Sequence, residues 1–270
     1  MTRESTSQTL TVALMLCGVC SFLVSASAVG LRAKQQENKA LDKQKNVLAV
    51  AGLLNGESKT EIEAAFEQIE TVLIDLKSGE AVEKVGKMPA AEFDARAAVS
   101  SPRLSINVPA EKDVASIKKR AKYSFVYIVK KEGKIDQIVL PIHGMGLWSI
   151  LYGFVALDAD TKGIRGIGYY EHAETPGLGG EVDNPIWKAK WTNGKQAFDD
   201  DGNIRIEVVK GEVNSSTPDA EFKVDGLSGA TFTSNGVTYM LQYWLGDHAF
   251  GPLLERVRDG EFAEPQAESE

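Results

Sequence analysis

Residues Thr9 to Leu31 form a 23-residue, largely apolar run inside a charge-free stretch from Ser5 to Leu31. As a helix it reaches roughly 34 Å at ~1.5 Å per residue, enough for a hydrocarbon core of ~30 Å. In lipid every backbone polar group needs an internal partner, so such a segment is read as a single transmembrane helix. The rival is a cleaved signal peptide, because Ala26-Ser27-Ala28 has the small residues of a cleavage site. Against it, the run is long for a signal h-region, and the n-region carries only Arg3, offset by Glu4. The anchor is the favoured reading. Arg32, Lys34 and Lys39 follow the helix and would pull the C-terminal side inward, but long domains cross regardless of such charges. Cys17 and Cys20 are the two cysteines of the chain and both lie within the run, so no disulfide holds the main domain together. This CxxC reads as small polarizable residues packing against other membrane helices, not as a cluster site.

The formal net charge of −8 over 270 residues argues against a nucleic-acid surface, which needs a Lys/Arg excess. Beyond the anchor, the pattern divides the chain into a tail (1–8), the transmembrane helix (9–31), a helical connector with the first part of the soluble domain (32–120), a main domain (121–258) and an acidic tail (259–270) expected to be disordered. The connector should continue the anchor helix as far as Leu54. Ser58-Lys59-Thr60-Glu61 reads as a capping box. Ile62, Phe66, Ile69, Val72 and Leu73 on one face then predict a helix of about four turns ending at Gly79. Loops with short helical pieces are expected over 80–120.

Tyr123 to Val129 and Ile135 to Leu140 predict a hairpin around Glu132-Gly133, and Ser149 to Leu157 pairs with Ile164 to Tyr170. Asn184 and Pro185 should open a short helix through Trp191. Asp199 to Gly202 should turn, Ile204 to Val209 should form a strand, and Gly251 to Arg258 a last segment. A helix capped by Ser234 should bury Val237, Met240, Leu241, Trp244 and Leu245. The class is α+β: one N-terminal transmembrane helix followed by a mixed α/β domain.

Three segments can carry chemistry. Asp225-Gly226-Leu227-Ser228-Gly229-Ala230-Thr231 is a small-residue loop at the mouth of a helix, where unpaired N–H groups favour a phosphate. The Thr231 hydroxyl is placed to carry a phosphate ester, with Thr233 as a nearby alternative acceptor. His172-Ala173-Glu174-Thr175-Pro176-Gly177-Leu178-Gly179-Gly180 can lie flat against a planar ligand. Pro141-Ile142-His143-Gly144-Met145-Gly146-Leu147-Trp148 sets glycines beside a ring that can stack. Taken singly, each is as readily a turn beside a core.

In this order and spacing the three resemble the FMN-binding domain family, whose flavinylation motif reads Asp, two variable residues, Ser or Thr, Gly, Ala, Thr. Lys39 to Leu48, Leu140 to Trp148 and Tyr169-Tyr170-Glu171-His172 narrow the likeness to the C subunits of the bacterial Na⁺-translocating NADH:quinone reductases, over about residues 10–258. The related G subunit of the Rnf ferredoxin:NAD⁺ oxidoreductases is the alternative.

The resemblance implies an electron-carrying subunit of a six-subunit, sodium-pumping NADH:ubiquinone reductase of the bacterial inner membrane, single-pass, with its soluble domain in the periplasm. It implies FMN esterified through its phosphate to Thr231 by a separate flavin transferase that uses FAD as donor. Ser228, Gly229 and Ala230 would shape the phosphate loop, and Asp225 and Thr233 belong to the same set. Glu174 and Thr175 would bond the isoalloxazine edge, and Leu147, Trp148 and Leu178 would pack the ring beside Gly177 and Gly179. No residue is assigned a catalytic or metal-ligating role.

A rival class is a serine hydrolase, since Gly226-Leu227-Ser228-Gly229-Ala230 nearly fits Gly-x-Ser-x-Gly and His248 follows it in order. A cofactor-free, membrane-tethered solute-binding domain is a third. No Gly-x-Gly-x-x-Gly loop for a dinucleotide is present, because Gly144-x-Gly146 continues into Trp148 and Ser149.

Overall fold

The computed structural model describes residues 5–192 and 194–262. Most of the acidic tail, and the first residues of the N-terminal tail, lie outside that range. The chain divides into two units, residues 1–43 and 44–270. The first consists of most of helix α1 (Thr6–Val50), whose apolar window is wholly unburied and long enough to cross a membrane. Cys17 and Cys20 are exposed free thiols on it.

The second unit begins with about the last two turns of α1, where Val47, Leu48 and Val50 are buried. Ala51 follows, and its carbonyl accepts a 3.0 Å hydrogen bond from the Gln137 side chain. The capping box forms as expected: Ser58 N–H donates to Glu61 at 3.1 Å, and Glu61 N–H returns to the Ser58 hydroxyl at 3.3 Å. Helix α2 (Lys59–Phe66) is shorter than expected, however. The chain turns directly into strand β1 (Ile69–Asp75). Ile69, Val72 and Leu73 fit a helical spacing, but Ile69-Glu70-Thr71-Val72-Leu73-Ile74 is also a β-branched run. Antiparallel pairing with the strand at 123–131, from Ile69 opposite Val129 to Asp75 opposite Tyr123, decides for the sheet.

Residues 80–121 are likewise more ordered than loops. They hold β2 (Glu80–Ala81), β3 (Lys84–Val85), β4 (Met88–Pro89), a one-turn helix α3 (Ala95–Ala98), β5 (Ser105–Asn107) and β6 (Lys119–Ala121). Four long strands follow: β7 (Tyr123–Lys131), β8 (Lys134–Met145), β9 (Ile150–Asp158) and β10 (Ile164–Glu171). The main sheet runs β10-β9-β8-β7-β1-β2 with antiparallel neighbours. The connector and the main domain therefore share one sheet.

Beyond β10 come α4 (Pro185–Ala189), capped by the Asn184 side chain, and the parallel pair β11 (Glu207–Val209) and β12 (Lys223–Asp225). Ile204 makes only an isolated bridge with Phe198, so the strand expected from Ile204 starts later. Helix α5 (Thr231–Leu245) and α6 (Gly251–Arg258) close the fold.

Side chains alternate across a strand, so the two sheet faces have separate partners. Ile138, Leu140 and Ile142 of β8 and Leu151, Val155 and Leu157 of β9 share a core with Val237, Met240, Leu241, Trp244 and Leu245 of α5. From β1, Leu73 instead packs with Phe93, Ala98 and Ala121. On β10, Gly166 and Gly168 leave room for Val50, whose carbonyl and side chain a Cβ would strike. Fully burying a Val, Leu or Met contributes roughly 1.5–3 kcal/mol each, so the α5 face fixes that helix on β8 and β9.

Candidate functional site

Three connections meet at one end of the sheet: the β8–β9 turn, the loop after β10 and the loop between β12 and α5. The turn is tight, with Gly146 N–H donating to the Ser149 carbonyl at 2.8 Å. Ser149 Oγ accepts from Ala173 N–H at 2.7 Å, which ties the turn to the second loop. Gly229, at φ +70°, brings the third loop against Leu178 so closely that a Cβ would stand 2.9 Å from Leu178 Cδ2. The structure thus brings together all three segments that the sequence singled out.

Helix α5 starts at Thr231, three residues before the Ser234 expected to cap it. Ala230 is the N-cap and offers no side-chain oxygen, so no side chain caps the helix. The Ser234 hydroxyl instead accepts from Leu227 N–H at 3.0 Å and shapes the loop from inside. The first N–H groups of a helix lack intrahelical partners and carry partial positive charge. Here they open beside exposed Ser228, Gly229 and Thr231. That arrangement suits a phosphate.

Thr231 and Thr233 differ sharply. Thr231 is exposed, whereas Thr233 is 0% exposed and donates its hydroxyl proton to Glu174 at 2.6 Å. A large group can reach only the first without opening the protein. The three converging segments also carry exposed apolar side chains that a soluble domain normally buries: Leu147, Trp148 (68% exposed), Leu178 and Phe232 (71% exposed).

The remaining expected residues have the following surroundings. Glu174 is buried, and its carboxylate accepts from the backbone N–H groups of Leu147, Trp148 and Ser149 at 3.2, 2.9 and 3.2 Å. Burial raises its pKa, but the bonds from Thr233 and the three amides outweigh that and hold it below the ordinary carboxylate value. Its side chain is turned into the protein, where these four donors meet it. Thr175 is exposed, and its carbonyl accepts from Leu178 and Gly180 N–H. Gly177 takes φ +77°, and Gly179 is buried. Asp225 pairs with Lys190 and accepts from Val213 N–H at 3.1 Å. With Lys190, Lys195, Glu212 and Val213 it lines a cleft of about 350 Å³.

The hydrolase geometry does not form. Ser228 precedes α5 and His248 follows it, so a helix of 15 residues, about 22 Å at ~1.5 Å per residue, separates them. His143 lies against Tyr152 and Trp244, and burial and then the nearby Arg96 charge lower its pKa to about 4.

Comparison with known proteins agrees with this geometry. The FMN-binding domain model matches residues 146–246, which hold all three connections. The C subunit of the Na(+)-translocating NADH-quinone reductase of Yersinia pestis is 49% identical over 260 residues, covering 95% of each chain. This chain belongs to the family of Na(+)-translocating NADH-quinone reductase C subunits.

The corresponding C subunit of Pseudomonas aeruginosa is 46% identical and covers 96% of this chain and 98% of its own. The crystal structure of Shewanella oneidensis NqrC, 36% identical, superposes with a TM-score of 0.74 over 82% of this chain and 99% of that one. The fold class is that of the family: one long apolar N-terminal helix and a mixed α/β domain.

Sequence reading missed one contributor to the site and the inward bonds of two others. Gly236, inside α5, lies against the Met145 carbonyl, which a Cβ would strike. A glycine in a helix interior costs roughly 0.5–1 kcal/mol against alanine, and that anomaly is the signal that could have revealed the close approach. The inward roles of Thr233 and Ser234 carry no such signal.

Proposed function

We propose that this chain is the flavin-carrying C subunit of a sodium-pumping NADH:ubiquinone reductase, anchored by α1 in the bacterial inner membrane with its second unit in the periplasm. It relays electrons through FMN held as a phosphoester on Thr231. The observation that carries this reading is Thr231 itself, an exposed hydroxyl at an uncapped helix N-terminus, with exposed Leu147, Trp148, Leu178 and Phe232 on the same three converging segments. The family membership supports the complex, and the apolar window of α1 supports the anchor.

Bound FMN would supply reversible electron transfer; the chain supplies position and surroundings. The first amides of α5 would receive the phosphate, and Gly229 at φ +70° lets the loop approach it. Trp148, Leu147 and Leu178 would cover the ring with apolar surface. In attachment by a flavin transferase, Thr231 Oγ1 bonds to the FMN phosphorus of FAD, the phosphoanhydride to AMP breaks, and the hydroxyl proton leaves with AMP. The other members of the complex would deliver and accept the electrons. A G subunit of an Rnf-type complex is not favoured, because the near-full-length relatives are named as C subunits of the Na(+)-translocating enzyme.

The test is flavin fluorescence on a denaturing gel after co-expression with a flavin transferase. The wild-type band should fluoresce and Thr231→Ala should not. A fluorescent Thr231→Ala band would sink the assignment.

A further inference from the structure

We propose that Glu174 is the positioning residue of this site: its carboxylate braces the Leu147–Ser149 turn against the first turn of α5, fixing Trp148 relative to Thr231 without contacting the cofactor. What is positioned rests on the flavin reading above; the brace itself does not.

The carboxylate meets four donors. Oε1 accepts from Trp148 and Ser149 N–H at 2.9 and 3.2 Å, and Oε2 accepts from Leu147 N–H at 3.2 Å and from the Thr233 hydroxyl at 2.6 Å. An ionised carboxylate offers about four lone-pair sites, so little capacity is left for a ligand. Three of the donors are successive amides of one turn, a concavity that suits an anion. The turn therefore aims its N–H groups inward and presents Leu147 and Trp148 outward.

The surrounding chain is shaped to this carboxylate. A Cβ at Gly146 would stand 2.7 Å from Oε1, and one at Gly179 would stand 2.7 Å from Oε2 and 2.5 Å from Thr233 Oγ1. Glu174 N–H donates to His172 Nδ1 at 3.2 Å, and His172 Nε2 bonds Asp183 at 2.8 Å, which fixes the backbone behind the carboxylate. Two glycines, one threonine and one histidine from the three segments thus converge on Glu174.

The experiment is hydrogen exchange on the full-length, flavin-free chain in detergent, reading residues 145–150 against the core of β8 and β9. Glu174→Gln puts an amide NH₂ against a donor, and should speed exchange of the turn at least tenfold while the core stays protected. Thr233→Val removes one donor at constant volume and should speed the turn less. Thr233→Ser keeps the hydroxyl and should restore wild-type protection. With flavin attached, Glu174→Gln should still carry it on Thr231 but with a shifted midpoint potential.

Unchanged exchange of the turn in Glu174→Gln would overturn the brace, and so would loss of attachment with the turn still protected, which would mean direct contact with flavin or transferase. If Glu174→Gln opens the core as well, Thr233→Val decides: a faster turn over a protected core supports the brace, and an unchanged turn overturns it. Absence of flavin from wild-type Thr231 would defeat the cofactor reading alone, because the exchange criteria need no flavin.

Discussion

Gly236 of α5 lies directly against the carbonyl oxygen of Met145 at the end of β8. No side chain separates helix from strand there, which lets the start of α5 come up beside the turn that carries Trp148. The approach predicts the outcome of Gly236→Ala. Alanine is the better helix former by up to about 1 kcal/mol, but its Cβ meets backbone that cannot swing aside. Overpacking of that kind costs about 1–3 kcal/mol, so the variant should be net destabilised in urea unfolding followed by circular dichroism. A gain in stability would show that the helix can back away from β8.

The His143 ring predicts a pH dependence. Burial and Arg96 lower its pKa to about 4 from 6.5, so the folded state resists a proton that the unfolded chain accepts. Between pH 6.5 and 4 the unfolded state then binds more protons, and stability falls as pH falls through that window. The loss attributable to His143 is at most ~3.5 kcal/mol, and less because the ring is partly exposed. His143→Phe keeps a ring against Tyr152 and Trp244 and should flatten the slope. Equal slopes for the two proteins would remove His143 from the account.

Much of this was legible in the sequence because it is local. The Ser58–Glu61 capping box and the Glu132-Gly133 hairpin turn depend on residues within four positions of each other. The three site segments were legible through their glycines and the exposed Thr. What was not legible is non-local. The run from Ile69 to Asp75 fits a helix until β7, about fifty residues away, pairs with it. Ser234 looks like an N-cap until Leu227 N–H claims its hydroxyl. The internal bonds of Glu174 could not be read either, because its partners stand 25 to 59 positions away and no sequence rule links them.

The anchor predicts that the protein purified from membranes begins at or near Met1. A mature terminus just after Ala28 would make Thr9–Leu31 a cleaved signal. In spheroplasts, added protease should digest the second unit, and protection would reverse the proposed topology.

The relay role predicts that the flavin-loaded chain alone is reduced by dithionite and only slowly, if at all, by NADH. The chain lacks a Gly-x-Gly-x-x-Gly loop between strand and helix to hold the dinucleotide. Rapid reduction by NADH that saturates with its concentration would reveal a nucleotide site and overturn the relay.

The central claim is the ester on Thr231, and peptide mass mapping of the chain co-expressed with a flavin transferase tests it most directly. Fragmentation must separate Thr231, exposed at the helix mouth, from Thr233, buried against Glu174. The account predicts an added mass of one FMN less a water, on Thr231, and the same addition in Thr233→Ala. Flavin on Thr233, or an unmodified peptide beside flavin bound only non-covalently, would contradict it.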